Sequence, residues 1–276
     1  MWTLSGFADE IDPAPEIQFE VLTGLGIRHV EFRSAWGTNV LDLSDEQIAE
    51  IKRLLNQYGV ALSAVGSPIG KVSVADDFDE HLRRFERAIW VAHELGAPYI
   101  RIFSFYPPTK GEDPTPHRDE VLRRMSALTD RIKGDDLVLG HENDLQLYGD
   151  TPDRALDLIE SVGSEQLRQV WDPANFVLSG ARPFTDGFAK LRPYLAYLQI
   201  KDAVAETGQV VPAGDGDGQI AETLRALKDD GFDGFFSMEP HLARAGHAGG
   251  FSGPELFGKA THAFTGLLDE QGISYQ

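Results

Sequence analysis

Along this chain, short runs of β-branched, aliphatic or aromatic residues alternate with longer segments in which apolar positions recur at helical spacing. The alternation repeats about every 26 to 39 residues, the length of a strand, a helix and their two connections. Strand candidates begin near Thr3, His29, Ala61, Tyr99, Leu137, Leu167, Leu195 and Gly234, and most follow a turn signal such as Leu25-Gly26, Tyr58-Gly59, Leu95-Gly96-Ala97-Pro98 or Asp230-Gly231. The helices are marked more sharply. Ser44-Asp45-Glu46-Gln47 has the form of a capping box, and Ile48, Ile51, Leu54 and Leu55 behind it share one helix face. The same periodicity predicts helices over about 79–95, 117–133, 151–162, 218–230 and 254–271.

Eight βα units with no linker, low-complexity stretch or charge block between them predict an α/β fold, one (β/α)8 barrel domain over residues 1–276. An open doubly wound sheet is the alternative architecture. In a barrel, chemistry gathers at the carboxyl ends of the strands. The second strand ends in Glu31-Phe32-Arg33-Ser34-Ala35-Trp36-Gly37, the third in Ser67-Pro68-Ile69-Gly70-Lys71, and the fourth runs from Arg101 to Tyr106. Later ends read Glu142-Asn143, Asp172-Pro173-Ala174-Asn175, Gln199-Ile200-Lys201-Asp202 and Glu239-Pro240-His241. Carboxylates therefore mark strands two, five, six and eight.

Composition narrows the chemistry. Hydrophobic residues make up 42% and charged residues 25%, with no apolar run of membrane length, so a soluble chain is expected. Residues Trp2 to Phe7 enter a strand without a secretion signal, which points to the cytoplasm. There are no cysteines, which excludes disulfides, thiolate metal sites and cysteine nucleophiles; a metal would have to use carboxylates, histidines or amides. Acidic residues outnumber basic ones 44 to 25, and the resulting charge of -19 repels phosphate backbones and anionic lipid. Neither nucleic acid nor a membrane is an expected partner; a homo-oligomer is left open.

Glu142, Asp172 and Glu239 each follow an apolar run directly, which places them on the rim. Three carboxylates at one mouth repel each other unless a cation is bound or a proton shared. Singly, each has a bland alternative as a helix cap or a salt-bridge partner. The motifs around them, His141-Glu142-Asn143, Tyr148-Gly149-Asp150-Thr151-Pro152, Trp171-Asp172-Pro173-Ala174-Asn175, Gln199-Ile200-Lys201-Asp202-Ala203, Val211-Pro212-Ala213-Gly214-Asp215-Gly216-Asp217 and Glu239-Pro240-His241, resemble the sugar-phosphate isomerase/epimerase family of xylose isomerase-like barrels. That family includes ketose 3-epimerases, hydroxypyruvate isomerase and inosose dehydratase.

The resemblance implies a divalent metal ion, Mn²⁺, Mg²⁺ or Co²⁺ with Zn²⁺ as a further option, held by Glu142, Asp172, Gln199 and Glu239. Gln199 stands where the family usually has histidine, and its neutral amide oxygen is a weaker ligand than imidazole for transition metals though acceptable to hard cations. Asn175 stands where some epimerases carry histidine. The implied reaction is proton abstraction beside a carbonyl of a sugar-like small molecule, through an enediolate, with Glu142 and Glu239 as acid and base. Epimerase or isomerase activity is the leading expectation; a dehydratase acting on an inosose-like or keto-sugar substrate uses the same first step, and a sugar-binding barrel without catalysis is a third reading. Candidate substrate contacts are Glu31, Arg33, Trp36, Lys71, Arg101, Asn143, Asn175, Lys201 and His241, with Phe103, Phe105 and Tyr106 as possible walls. His29, His81, His93, His117, His247 and His262 are expected on the surface or in packing, and strand alternation turns His141 away from the mouth. A related barrel that repairs abasic DNA needs many histidine ligands and a basic groove, which this chain lacks.

Overall fold

The computed structural model describes residues 1–244 and 250–276; His247 lies outside them. Eight parallel strands form the barrel wall: β1 (Thr3–Gly6), β2 (His29–Phe32), β3 (Ala61–Val65), β4 (Tyr99–Ile102), β5 (Val138–Glu142), β6 (Leu167–Trp171), β7 (Leu195–Ile200) and β8 (Phe235–Met238). Their spatial order is sequential, with β8 returning to pair with β1 through Thr3↔Phe235 to Gly6↔Met238. β1 and β2 lie side by side at the seam, where no ladder joins them among the described residues. Each observed strand begins within one residue of its expected position.

Helices cover the outside: α1 (Pro15–Gly24), α2 (Asp45–Tyr58), α3 (Phe78–Leu95), α4 (Arg118–Arg131), α5 (Pro152–Val162), α6 (Pro173–Leu178), α7 (Ile220–Asp229) and α8 (Gly253–Glu270). The capping box of α2 is present: the Ser44 hydroxyl accepts the Gln47 N–H at 3.2 Å, and the Gln47 side chain accepts the Ser44 N–H at 2.9 Å. Ile48, Ile51, Leu54 and Leu55 are buried as its stripe requires. Gly59 ends the helix at φ 65°, a conformation glycine adopts without a Cβ penalty. The region after β6 carries α6 and then, past Gly180, abutting short helical turns over 183–194, which Pro183 opens. No helix among the described residues is long and apolar enough to cross a membrane.

Strand alternation divides the molecule into two unlike cores. Outward positions such as Leu4, Val30, Leu62, Ile100, Leu139, Leu198 and Phe236 join the buried apolar layer between strands and helices. Inward positions mix polar groups with a small apolar cluster around Ala64, Val170 and Tyr197. Ser5 and Ser63 hydroxyls meet at 2.6 Å, and the Tyr197 hydroxyl crosses the lumen to donate to Glu31 Oε1 at 2.7 Å. Tyr99, Tyr197 and Phe235 pack together around this inner layer, with ring centroids 5.4 Å apart for the tyrosines.

Candidate active site

Above that inner layer, the strand ends open into a cavity of about 600 Å³, a size suited to a small-molecule ligand. Arg33, Lys71, Arg101, Glu142, Asn175, Lys201, Glu239 and His241 line it. One carboxylate oxygen from each of Glu142, Asp172 and Glu239 lies within 4.8 Å of the other two, so strands β5, β6 and β8 do converge on one point. All three residues are buried, Asp172 completely.

Each carboxylate is shared between structure and cavity. Asp172 Oδ1 caps α6 by accepting the Asn175 N–H at 3.0 Å, leaving Oδ2 to meet the Lys201 ammonium. Asp172 thus combines the cap role with a place in the trio. Glu142 Oε2 accepts from Arg101 Nη1 at 3.0 Å and Oε1 from Asn175 Nδ2 at 3.2 Å. Glu239 Oε1 accepts from Arg33 Nη1 at 2.9 Å, and its Oε2 contacts Lys201 Nζ. Arg33 is fixed in turn by Asp9 at 2.8 Å, and the Arg33 and Arg101 guanidinium groups both stack over Phe7, at 4.6 and 5.1 Å.

The electrostatics follow from burial among like charges. Burial raises the Asp172 carboxyl to about 7, against the pull of Lys201, with repulsion from Glu142 and Glu239 adding to the rise. Glu142 is raised for the same first reason, against Arg101. Burial pushes Glu239 up too, but Lys201, His241 and Arg33 together hold it well below the ordinary carboxylate range. The trio therefore contains unlike carboxyl groups: Glu239 is held toward its ionised form, while Glu142 and Asp172 are pushed toward the protonated form.

Four expected site residues sit elsewhere or serve another purpose. Trp36 is 37% exposed and does not line the cavity, because a small hairpin, Ser34–Ala35 with Thr38–Asn39, turns it outward at φ 53° and brings Asn39 to the lining instead. Glu31 lies below the cavity, bonded to Tyr197, with burial raising its carboxyl to about 7. Asn143 braces β6: its Oδ1 accepts the Asp172 N–H at 3.1 Å and its Nδ2 donates to the Asp172 carbonyl at 2.8 Å. Gln199 lies a layer below Lys201 on β7, its Nε2 donating to Glu31 Oε1 at 3.3 Å while its Oε1 has no hydrogen-bond partner among the described residues.

Sequence reasoning missed the contribution of β1. Buried Glu10 accepts the His241 N–H at 2.9 Å and the Ser252 hydroxyl at 2.9 Å, and its Oε1 stands 3.3 Å from His241 Nε2. His241 Nε2 is also 3.4 Å from Glu239 Oε1, so the imidazole is set between two carboxyl groups. The available signal was the acidic pair Asp9-Glu10 in the turn that follows β1, close to a strand end as the other rim acids are. Asp144, another lining residue, pairs with Lys71 at 2.7 Å across the mouth.

Two loops hold the rim in shape. Gly70, at φ 82°, presses against the backbone of Phe103, where a Cβ would lie 1.9 Å from the carbonyl oxygen; the His81 imidazole accepts its N–H at 2.9 Å. Gly70→Ala should cost about 3 kcal/mol of stability, read from urea unfolding, since both the conformation and the space exclude a methyl group. On the other side, the Asp202 carboxylate accepts the N–H groups of Ala203, Gly214, Gly216 and Gly218 at 2.8 to 3.1 Å. A Cβ at Gly216 or Gly218 would come within 2.5 or 2.6 Å of Asp202 Oδ1, so the glycines make room for their own anchor. Asp202→Ala should loosen this loop, with faster hydrogen exchange at Gly214 to Gly218 and about 2–3 kcal/mol lost stability.

Known proteins share this fold. The family model described as xylose isomerase-like TIM barrel matches residues 19–258. A 2-epi-5-epi-valiolone 7-phosphate 2-epimerase from Actinoplanes sp. is 27% identical over 194 residues, 70% of this chain and 69% of that one. The fold is similar to the probable 3-DHS dehydratase AsbF from Bacillus anthracis, at TM-score 0.74 and 17% identity, over 96% of this chain and 98% of that chain. It is also similar to a xylose isomerase-like TIM barrel protein from Mycobacterium smegmatis in complex with magnesium, at TM-score 0.69 and 21% identity, over 97% and 98%. The family match runs from α1 into α8 and takes in every strand end that carries the trio, and the chain belongs to the xylose isomerase-like TIM barrel family.

Proposed function

We propose that this protein is a divalent-metal-dependent epimerase or isomerase of a sugar-like carbonyl compound, working by proton transfer at the carbon beside the carbonyl. The observation that carries this reading is the convergence of Glu142, Asp172 and Glu239 within 4.8 Å at the floor of a small-molecule cavity. The donors suit a hard cation: three carboxylates from three strands, no thiolate, and the buried, unpartnered amide oxygen of Gln199 on the adjacent strand. Glu142, Asp172 and Glu239 would hold the ion; Gln199, a layer below, would have to turn its amide oxygen upward to join them.

A bound divalent ion supplies Lewis-acid polarisation of the substrate carbonyl. The chain's own groups do the rest. Glu142 and Glu239 approach from different strands, so one removes the proton and the other returns it. Arg101 and Arg33 orient the two carboxylates, while Asn175 and His241 offer polar contacts to substrate hydroxyls.

The epimerase from Actinoplanes and the family match support this chemistry. The test is deuterium incorporation from D2O into ketoses, keto-acids and inososes, followed by NMR with the protein loaded in turn with Mg²⁺, Mn²⁺ and Co²⁺. Metal-dependent exchange with an epimeric or isomeric product is expected; exchange with loss of water would make the protein a dehydratase, and no exchange would leave a binding barrel.

A further inference from the structure

The Lys201 ammonium contacts Asp172 Oδ2 and Glu239 Oε2 together, bridging two of the three carboxylates that converge. Its side chain is 3% exposed, and the residue lines the cavity. The two arginines at the trio each hold a single member of it: Arg101 binds Glu142, and Arg33 binds the far oxygen of Glu239 and Asp9. Lys201 is thus the charge that balances the centre of the trio. A compact ammonium on a flexible four-carbon stem suits a position that must be vacated.

We infer that Lys201 is a tethered competitor for the metal, resting on the trio in the metal-free chain and swinging into the cavity when a divalent ion takes its two oxygens. The inference rests on the metal reading of the trio given above. Like charges crowded onto the same two oxygens repel strongly in a buried site, so the ion and the ammonium cannot share them. The cavity beside Lys201 is the open direction for its side chain. Once displaced, the ammonium is a free hydrogen-bond donor within reach of the ligand space, suited to an oxyanion or hydroxyl of the substrate. Metal binding and substrate recognition are then ordered: the ion goes in first and releases the group that meets the substrate.

Two measurements test this on the full chain. After chelator treatment, Mn²⁺ titration followed by electron paramagnetic resonance should show at least tenfold tighter binding by Lys201→Met than by the unaltered chain. Lysine acetylation read by mass spectrometry needs no variant: Lys201 should be shielded without metal and at least tenfold more reactive with saturating Mn²⁺, while exposed Lys52 stays constant as the internal standard. Mn²⁺ bound by both chains with equal affinity, or bound by the unaltered chain without change in Lys201 labelling, would overturn the inference and leave the metal reading standing. If neither chain binds Mn²⁺, the metal reading falls and this inference falls with it.

Discussion

Glu239→Gln is expected to lower metal-dependent deuterium exchange by about a thousandfold, within the 10²–10⁴ range of a lost acid-base group. Glu239 is the carboxylate that Lys201, His241 and Arg33 keep ionised against the cost of burial. An amide of the same shape keeps a hydrogen-bond acceptor for Arg33 but can neither accept nor deliver the substrate proton. Glu142→Gln should fall similarly, since its oxygens are held by Arg101 and Asn175 in a geometry an amide can nearly copy. The measurement is exchange at saturating substrate beside a thermal unfolding curve. A variant that unfolds like the parent and keeps its exchange rate within threefold would remove that glutamate from the mechanism.

Glu10→Gln should change stability in a pH-dependent way that no surface carboxylate would show. Burial raises this carboxyl from 4.5 to about 8, with Arg33 opposing. Below pH 4.5 both folded and unfolded chains carry the proton, and Glu10 costs nothing. Between 4.5 and about 8 the unfolded chain ionises while the folded one keeps its proton, so stability falls as pH rises, by up to about 1.4 kcal/mol per pH unit. Above that window the loss is complete. The amide of the variant removes the titration yet can accept from the His241 N–H and the Ser252 hydroxyl as Glu10 does. Urea unfolding at pH 5 and pH 9 should therefore show the variant gaining several kcal/mol on the parent between the two. An equal difference at both values would mean that Glu10 titrates normally.

The barrel was legible because two periodicities, one of strands and one of helices, repeat eight times with glycines at the turns. The helical turns over 183–194 were not, since they change helix type every few residues and so present no steady period. Glu142, Asp172 and Glu239 could be found because each ends an apolar run. Period-two alternation correctly turned His141 away from the cavity; the residue is wholly buried. Alternation says nothing about depth, however, so Glu31 shared a face with Arg33 but fell a layer below it. Nor does it describe loops: Trp36 was expected at the mouth, and a two-residue hairpin strand delivered Asn39 there instead. Glu10 and Lys201 show the remaining gap, because their roles depend on partners about 230 and 30 to 40 residues away in the chain.

The lumen of this barrel separates two kinds of evolutionary change. Ser5, Glu31, Ser63, Gln199 and Ser237 line it, while the apolar burial that holds the chain folded lies outside the strands. Inward substitutions can therefore retune the charge and hydrogen bonding beneath the trio without subtracting from the main apolar layer, and the outer layer can be repacked without reaching the trio. Position 199 is such an inward site: a change of its side chain would alter the hydrogen bonding beneath the trio while the outer apolar layer stays intact, so barrels of one shape can diverge in chemistry.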